Sequence, residues 1–332
     1  MAQFGTEFCD NFATARFDGK KWLPAEVRAL EPLCLHPGAH VFHYASTCFE
    51  GFKAYRWADG KAYVFRLRDH IARMQKSATS LHLPVPDADS LAQMVLDLVA
   101  RHNGDIPAPP SSLYLRPTLI GTLPNIGAAA SPSTEALLYV LASPVGDYFA
   151  GGARPLKLLV EDQRSRSTEQ LGSTKTGGNY AGALGPTLEA KARFGVDQVL
   201  FCPGGDVQET GAANFLLISD SEIITKPLNT SFLHGMTRAS ILTLARGLGY
   251  RINERDFTVT ELLEWVKTHE AALSGTAACL TPVGTLVYKG SEIPVRDGSG
   301  GPNVEKLRRA LQTIQYGEAP DTHGWLTEVP VR

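Results

Sequence analysis

The lysine of Gly172-Ser-Thr-Lys175-Thr-Gly-Gly-Asn-Tyr180 is the residue of this chain best placed for chemistry. The glycines around it remove Cβ atoms, so the backbone can approach a bound molecule closely. The amine offers either a cation for a phosphate or, once desolvated, a nucleophile. A solvated loop lysine is the ordinary reading of the same residues, since lysines are mostly exposed. A P-loop is not met, because that pattern needs Gly directly before its Lys and Thr174 stands there. Three further stretches carry complementary chemistry. Gly235-Met236-Thr237-Arg238 turns into an amphipathic run whose first N–H groups, with the Thr237 hydroxyl, make a phosphate cradle. Ser274-Gly-Thr276-Ala277 offers a second set of small residues whose backbone N–H groups can meet an anion. Glu209 sets a carboxylate between the turn Pro203-Gly-Gly-Asp206 and the apolar run Asn214–Ile218. Each alone fits a capped helix or an exposed turn. Together they supply an amine for a Schiff base, a carboxylate for a pyridine nitrogen and two phosphate-binding turns, which are the parts of a pyridoxal phosphate site.

Two halves must position these groups. In the first, Phe17-Asp18-Gly19-Lys20 and Trp57-Ala58-Asp59-Gly60 read as hairpin turns, and Ala62–Leu67 as a strand. The spacing of Ile71, Met74, Ala78 and Leu81 predicts a helix ending before Pro84. A second helix is predicted over Asp89–His102, with Asp89 as its N-cap, followed by strands Ser112–Ile120 and Ala136–Ser143. This half reads as a small α+β domain, 1–143, on a mostly antiparallel sheet. Residues 144–155, rich in Gly and Pro, read as the linker, and Tyr148 and Phe149 within it as packing residues. The large domain, 156–332, is expected to carry Lys175. Its predicted strands are Leu156–Glu161, Gln198–Cys202, Asn214–Ile218 and Glu222–Thr225. Its predicted helices lie near Tyr180–Phe194, Thr237–Leu248, Thr260–Lys267 and Val304–Gln315, and Gly195, Gly249 and Gly317 stand where helices would be capped. The fold class is α+β / α/β, without the strict rhythm of a doubly wound sheet.

Composition narrows the function. The 332 residues carry a formal net charge of -2 and no basic arm, which argues against nucleic acid as the main partner. The five cysteines are scattered with no C-x-x-C pair, so a zinc ribbon or redox motif is not expected. Reduced thiols, the absence of a signal-like N-terminal run and the absence of a spanning apolar stretch point to the cytoplasm.

In order along the chain, the motifs Phe49-Glu-Gly-Phe-Lys-Ala-Tyr-Arg56, Tyr114-Leu-Arg-Pro117, Ile120-Gly121, Ser143-Pro-Val-Gly146, Thr176-Gly-Gly-Asn-Tyr180, Glu209-Thr-Gly211 and Ser274-Gly-Thr-Ala277 resemble the fold-type IV pyridoxal phosphate enzymes. The similarity is strongest to the branched-chain amino acid aminotransferases and runs from about Phe17 to Tyr288. The resemblance implies transfer of an amino group from L-leucine, L-isoleucine or L-valine to 2-oxoglutarate, with ping-pong kinetics. It makes Lys175 the Schiff-base lysine and the base that moves a proton between substrate and cofactor. Tyr180 would bond the phenolic oxygen and Glu209 the pyridine nitrogen; Arg73, Met236, Thr237 and Thr276 would hold the phosphate. Tyr44, Phe49, Tyr114 and Tyr148 would wall an apolar substrate pocket, with Arg116, Thr276 and Ala277 toward the carboxylate. Such enzymes act between domains and as homodimers, and Ile126 and Ala128 match the loop that reaches the partner's site. Lys53 matches a basic position outside the Schiff-base role. A departure is the pair Ala278 and Thr281, which stand where some relatives have redox cysteines. Within the fold, D-amino acid aminotransferases and aminodeoxychorismate lyase are the alternatives, and a non-catalytic metabolite sensor is the alternative outside catalysis.

Overall fold

The computed structural model describes residues 4–146 and 154–330. Its contacts divide the chain into two compact units: Met1–Tyr148, Thr174–Gly177 and Ile314–Arg332 form unit 1, and Phe149–Ser173 with Gly178–Thr313 form unit 2.

Unit 1 is built on β1 (Asn11–Phe17), β2 (Glu26–Ala29), β3 (Thr47–Phe49), β4 (Phe52–Arg56), β5 (Ala62–Phe65), β6 (Ser112–Gly121) and β7 (Ala136–Val145). Its helices are α1 (His40–Tyr44), α2 (Leu67–Ser80) and α3 (Ala88–Arg101). The strands pair antiparallel throughout, in the order β5-β4-β6-β7-β1-β2, with β3 laid along β6. Sheet residues Ala13, Phe52, Leu115 and Val140 meet Leu67, Ile71 and Met74 of α2 and Val95 and Leu98 of α3 in one apolar core. Both helices bury a face spaced at three and four residues, as their sequence periodicity requires. Each fully buried leucine or isoleucine there contributes about 1.5–3 kcal/mol.

Unit 2 holds β8 (Leu156–Glu161), β9 (Gln198–Phe201), β10 (Asn214–Ile218), β11 (Glu222–Thr225), β12 (Arg251–Glu254), β13 (Glu270–Gly275), β14 (Cys279–Tyr288) and β15 (Ser291–Pro294). With them come α4 (Gly177–Phe194), α5 (Met236–Gly247), α6 (Val259–Trp265) and α7 (Pro302–Gln315). Its sheet runs β12-β11-β10-β13-β14-β8-β9 and is mixed, with parallel pairs at β11/β12, β14/β8 and β8/β9. Phe215, Leu217, Leu273 and Val283 from the central strands pack with Leu262 and Val266. A last strand, β16 (Leu326–Glu328), pairs with β5 in unit 1.

Four expectations are corrected. The cap of α3 is Asp87 and not Asp89: Asp87 Oδ1 accepts the Ser90 N–H at 2.9 Å, while Asp89 already lies in the first turn and pairs with Arg68 at 2.5 Å. Two aspartates two residues apart can both cap a helix, and the extended backbone after Pro86 selects the earlier one. The helix expected from Tyr180 begins at Gly177. Two glycines are poor helix formers, but in a first turn anchored by the Asn179 amide on the Leu171 carbonyl at 2.7 Å their cost is small. Pro144 and Val145 are not linker, because they pair with Leu113 and Ser112 as the end of β7; residues 147–153 of the expected linker lie outside the described residues. Finally, the segment around Lys175 and the C-terminal tail belong to unit 1 and not to the span 156–332. Backbone hydrogen bonds to the β3 region and the pairing of β16 with β5 put them there.

Candidate active site

In unit 1 the lysine segment is fixed through its backbone. The Lys175 N–H donates to Ser77 Oγ at 3.0 Å, the Lys175 carbonyl accepts the Phe49 N–H at 3.0 Å, and Thr176 Oγ1 donates to the Thr47 carbonyl at 2.7 Å. The Lys175 ammonium lies 4.9 Å from the centroid of the Phe49 ring, and the Arg116 guanidinium lies 4.7 Å from the same ring. Arg116 donates to Tyr114 Oη from Nη2 at 2.7 Å and from Nε at 3.2 Å. Tyr114 passes so close to Gly51 that a Cβ at that position would lie 2.0 Å from the phenolic oxygen, so only glycine lets the ring sit there. Lys175, Phe49, Tyr114 and Arg116 thus form one amine-and-aromatic group. Lys53 faces Tyr114 across the β4/β6 ladder.

A buried triad lies in the same unit. Glu50, 0% exposed, accepts from Arg73 Nε and Nη2 at 2.7 Å each and pairs with His70 Nδ1 at 2.7 Å. Burial opposes the charge on Glu50, but the Arg73 guanidinium and His70 outweigh it and hold the carboxyl far below the usual range. His70 is pushed down, first by burial and then by the Arg73 and Lys175 cations against the pull of Glu50. The neutral imidazole therefore donates Nδ1–H to the carboxylate, and Arg73 is locked on two sides of its fork.

Tyr44 donates its hydroxyl to the Ile126 carbonyl. Ile126 is 72% exposed, whereas Ala128 is buried within its own chain. Tyr148 lies outside the described residues.

In unit 2 Glu209 is likewise buried. Its Oε1 accepts the Leu233 N–H at 3.0 Å and its Oε2 accepts from Asn214 Nδ2 at 2.9 Å. Arg166 Nε lies 2.7 Å from Oε1 off the line of a good hydrogen bond, so this contact is an ion pair, and Arg166 Nη2 donates to the Gly172 carbonyl at 2.8 Å. Asn214 also packs on Gly235, where a Cβ would come within 2.0 Å of Oδ1. Gly235 is the N-cap of α5, and no side chain caps that end. Met236 and the buried Thr237 form its first turn, where backbone N–H groups favour an anion. Ser274, Thr276 and Ala277 lie at the β13/β14 turn, with the buried Ser274 hydroxyl lacking a partner among the described residues. Tyr180 is half-buried in the first turn of α4.

The fit to pyridoxal phosphate is good on these observations. Each unit holds donors such a group requires: unit 1 a lysine on an aromatic face, and unit 2 a buried carboxylate beside Arg166, an uncapped helix N-terminus and an orphaned hydroxyl beside a small-residue turn. Sequence reasoning missed Glu50, His70, Arg166 and Asn214. Glu50 was visible as an acid in an apolar strand region, and His70 lies three residues before Arg73 on the buried face of α2. Nothing distinguishes Arg166 from its neighbour Arg164 in the sequence.

The profile of the family described as amino-transferase class IV matches residues 47–286. The chain is 38% identical to a probable branched-chain-amino-acid aminotransferase of Streptomyces coelicolor, over 97% of this chain and 91% of that one. It is 37% identical to the cytosolic branched-chain-amino-acid aminotransferase of Saccharomyces cerevisiae, over 95% and 89%. Among solved structures it is similar to a T.th. branched-chain amino acid aminotransferase with pyridoxamine 5'-phosphate, at a TM-score of 0.81 and 25% identity over 98% of this chain and 100% of that one. The Escherichia coli branched-chain amino acid aminotransferase follows at 0.78 and 26%, over 98% and 99%. The chain belongs to the class IV aminotransferases, in the branch of the branched-chain-amino-acid aminotransferases.

Proposed function

We propose that this protein is a pyridoxal phosphate-dependent transaminase that exchanges the amino group of L-leucine, L-isoleucine or L-valine with 2-oxoglutarate. The observation that carries the reading is Lys175, pinned through both of its peptide groups with its ammonium on the Phe49 ring. The cofactor, when bound, supplies an electrophilic carbon for amines and a ring that accepts electrons. Lys175 would hold the cofactor through its amine, and its Nζ would then serve as the base that takes and returns a proton at the substrate Cα. Glu209 would accept a hydrogen bond from the protonated pyridine nitrogen, and its bonds from Asn214 and the Leu233 N–H hold it in place. Tyr180 donates to the phenolic oxygen. Arg73, the first turn of α5 at Met236 and Thr237, and Thr276 hold the phosphate. Phe49, Tyr44 and Tyr114 would exclude water around the aliphatic side chain, while Arg116 and the Thr276-Ala277 turn would take carboxylates. Because the amine donor leaves as an oxo acid before the acceptor binds, the kinetics are ping-pong.

Two further properties belong to this proposal. The loop holding the exposed Ile126, tied to Tyr44, would reach the partner's site in a homodimer, while Ala128 of the same loop is buried within its own chain. Five free thiols fit a reducing cytoplasm, and among the described residues no helix is long and apolar enough to cross a membrane.

The test is the visible spectrum of the purified protein before and after L-leucine. A yellow protein that bleaches with L-leucine supports the assignment, and Lys175→Ala should abolish turnover while leaving the fold intact. A protein that responds to D-alanine and ignores L-leucine, or one that stays colourless with added pyridoxal phosphate, overturns it.

A further inference from the structure

Unit 1 also gathers three metal-ligating side chains away from every residue assigned above. Cys9 precedes β1 and is fixed by its N–H on the Ala142 carbonyl at 2.9 Å. His102 ends α3, and Asp105 closes the single turn of 3-10 helix that follows it. Each offers a ligand atom within 4.8 Å of the other two. His102 is 4% exposed; its Nδ1 lies 2.7 Å from Asp105 Oδ2, and its Nε2 is buried with no partner among the described residues. Nδ1, which faces the Asp105 carboxylate, is the nitrogen an ion shared with that carboxylate would meet, any proton held between them leaving as the ion binds.

We propose that Cys9, His102 and Asp105 bind one divalent cation of the zinc type, with water as the fourth ligand. Thiolate and carboxylate together carry two negative charges, which a divalent ion cancels. Thiolate, imidazole and carboxylate are the donors zinc takes, at about 2.3 Å for sulfur and 2.0–2.2 Å for nitrogen and oxygen, which sets tetrahedral donors about 3.5 Å apart. His102 Nδ1 and Asp105 Oδ2, 2.7 Å apart, must open by about an ångström to admit an ion between them, while Cys9 Sγ draws in from at most 4.8 Å. The Asp105 side chain, 62% exposed, provides the entry path. A Cys-His nucleophile is the competing reading of the same trio. Burial, then the carboxylates of Asp105 and Asp10, push the Cys9 thiol up to about 11, and among the described residues no hydrogen bond joins it to the orphaned imidazole nitrogen, so the thiol is not activated. A bound ion would tie the segment before β1 to the end of α3.

The experiment is a cobalt titration of the purified holoenzyme, followed by the ligand-field bands of thiolate-bound Co2+ and by thermal unfolding with Zn2+. The expected result is saturation at one equivalent with tetrahedral bands, displacement of Co2+ by Zn2+, and a rise in melting temperature. Cys9→Ser and His102→Gln should lose all three while keeping wild-type turnover. Asp105→Asn, changed at an exposed side chain, should keep the fold and weaken binding at least about tenfold. Absence of saturable one-equivalent binding in the wild type, or bands that survive in Cys9→Ser because Cys34 or Cys279 supplies the thiolate, overturns the proposal.

Discussion

Replacing Glu50 by Gln tests whether the buried triad is what holds Arg73. The substitution keeps the volume of the side chain but takes the Glu50 charge away from a guanidinium 7% exposed, which two 2.7 Å contacts now tie to it. Breaking a buried ion pair from one side costs about 3–5 kcal/mol. For a unit of this size, each kcal/mol shifts the melting temperature by about 2–4 °C, so a drop of roughly 10 °C is expected at pH 7. The pH dependence has a definite sign. Glu50 has a folded pKa far below its unfolded one, so its contribution is fully present above the unfolded value of about 4.3 and is lost as pH falls toward the folded value. The gap between wild type and variant should therefore be full at pH 7 and shrink progressively below about pH 4.3. Thermal unfolding of both apoproteins across that range measures it, and a parallel titration with pyridoxal phosphate should show weaker binding by the variant. A variant that melts within about 1 kcal/mol of wild type at pH 7, or a gap that stays constant into acid, would refute an ionised buried pair.

Other expectations follow from the same geometry. Gly235→Ala places a methyl 2.0 Å from Asn214 Oδ1, so Asn214 must leave Glu209; a loss of about 1–3 kcal/mol and weaker cofactor binding should appear together in denaturant titrations. Arg166→Met strands the Glu209 carboxylate in a buried position and should cost about 3–5 kcal/mol, whereas Arg166→Lys should recover part of it. Asp87→Ala removes the cap of α3 and should cost about 1 kcal/mol with turnover unchanged, as read by urea midpoint and steady-state assay.

Much of this was legible in the sequence. The apolar spacings on α2 and α3 and the turn residues located most elements because local periodicity and final packing agree there. Boundaries failed where tertiary contacts decide: α4 starts in glycines that no propensity favours, and the cap of α3 moved between two equivalent aspartates. Lys175 and Glu209 could be singled out because glycines and turns frame them. The groups that hold their neighbours could not. Arg166 acquires its role only when the chain folds Glu209 against it, and Glu50 only when α2 presents His70 and Arg73.

Those hidden partners follow one electrostatic rule. In unit 1 a buried glutamate is neutralised by Arg73 with His70 uncharged, and in unit 2 a buried glutamate is neutralised by Arg166. An isolated carboxylate in either position would be driven to take up a proton, and a neutral acid could neither anchor Arg73 nor face a protonated pyridine nitrogen. In unit 1 the Arg73 guanidinium, with His70, therefore keeps Glu50 charged before any cofactor arrives. The consequence is that Glu50 offsets much of the charge Arg73 could offer a phosphate. In the proposed site neutral donors would share that phosphate with Arg73, and the uncapped N-terminus of α5 at Gly235 offers such donors.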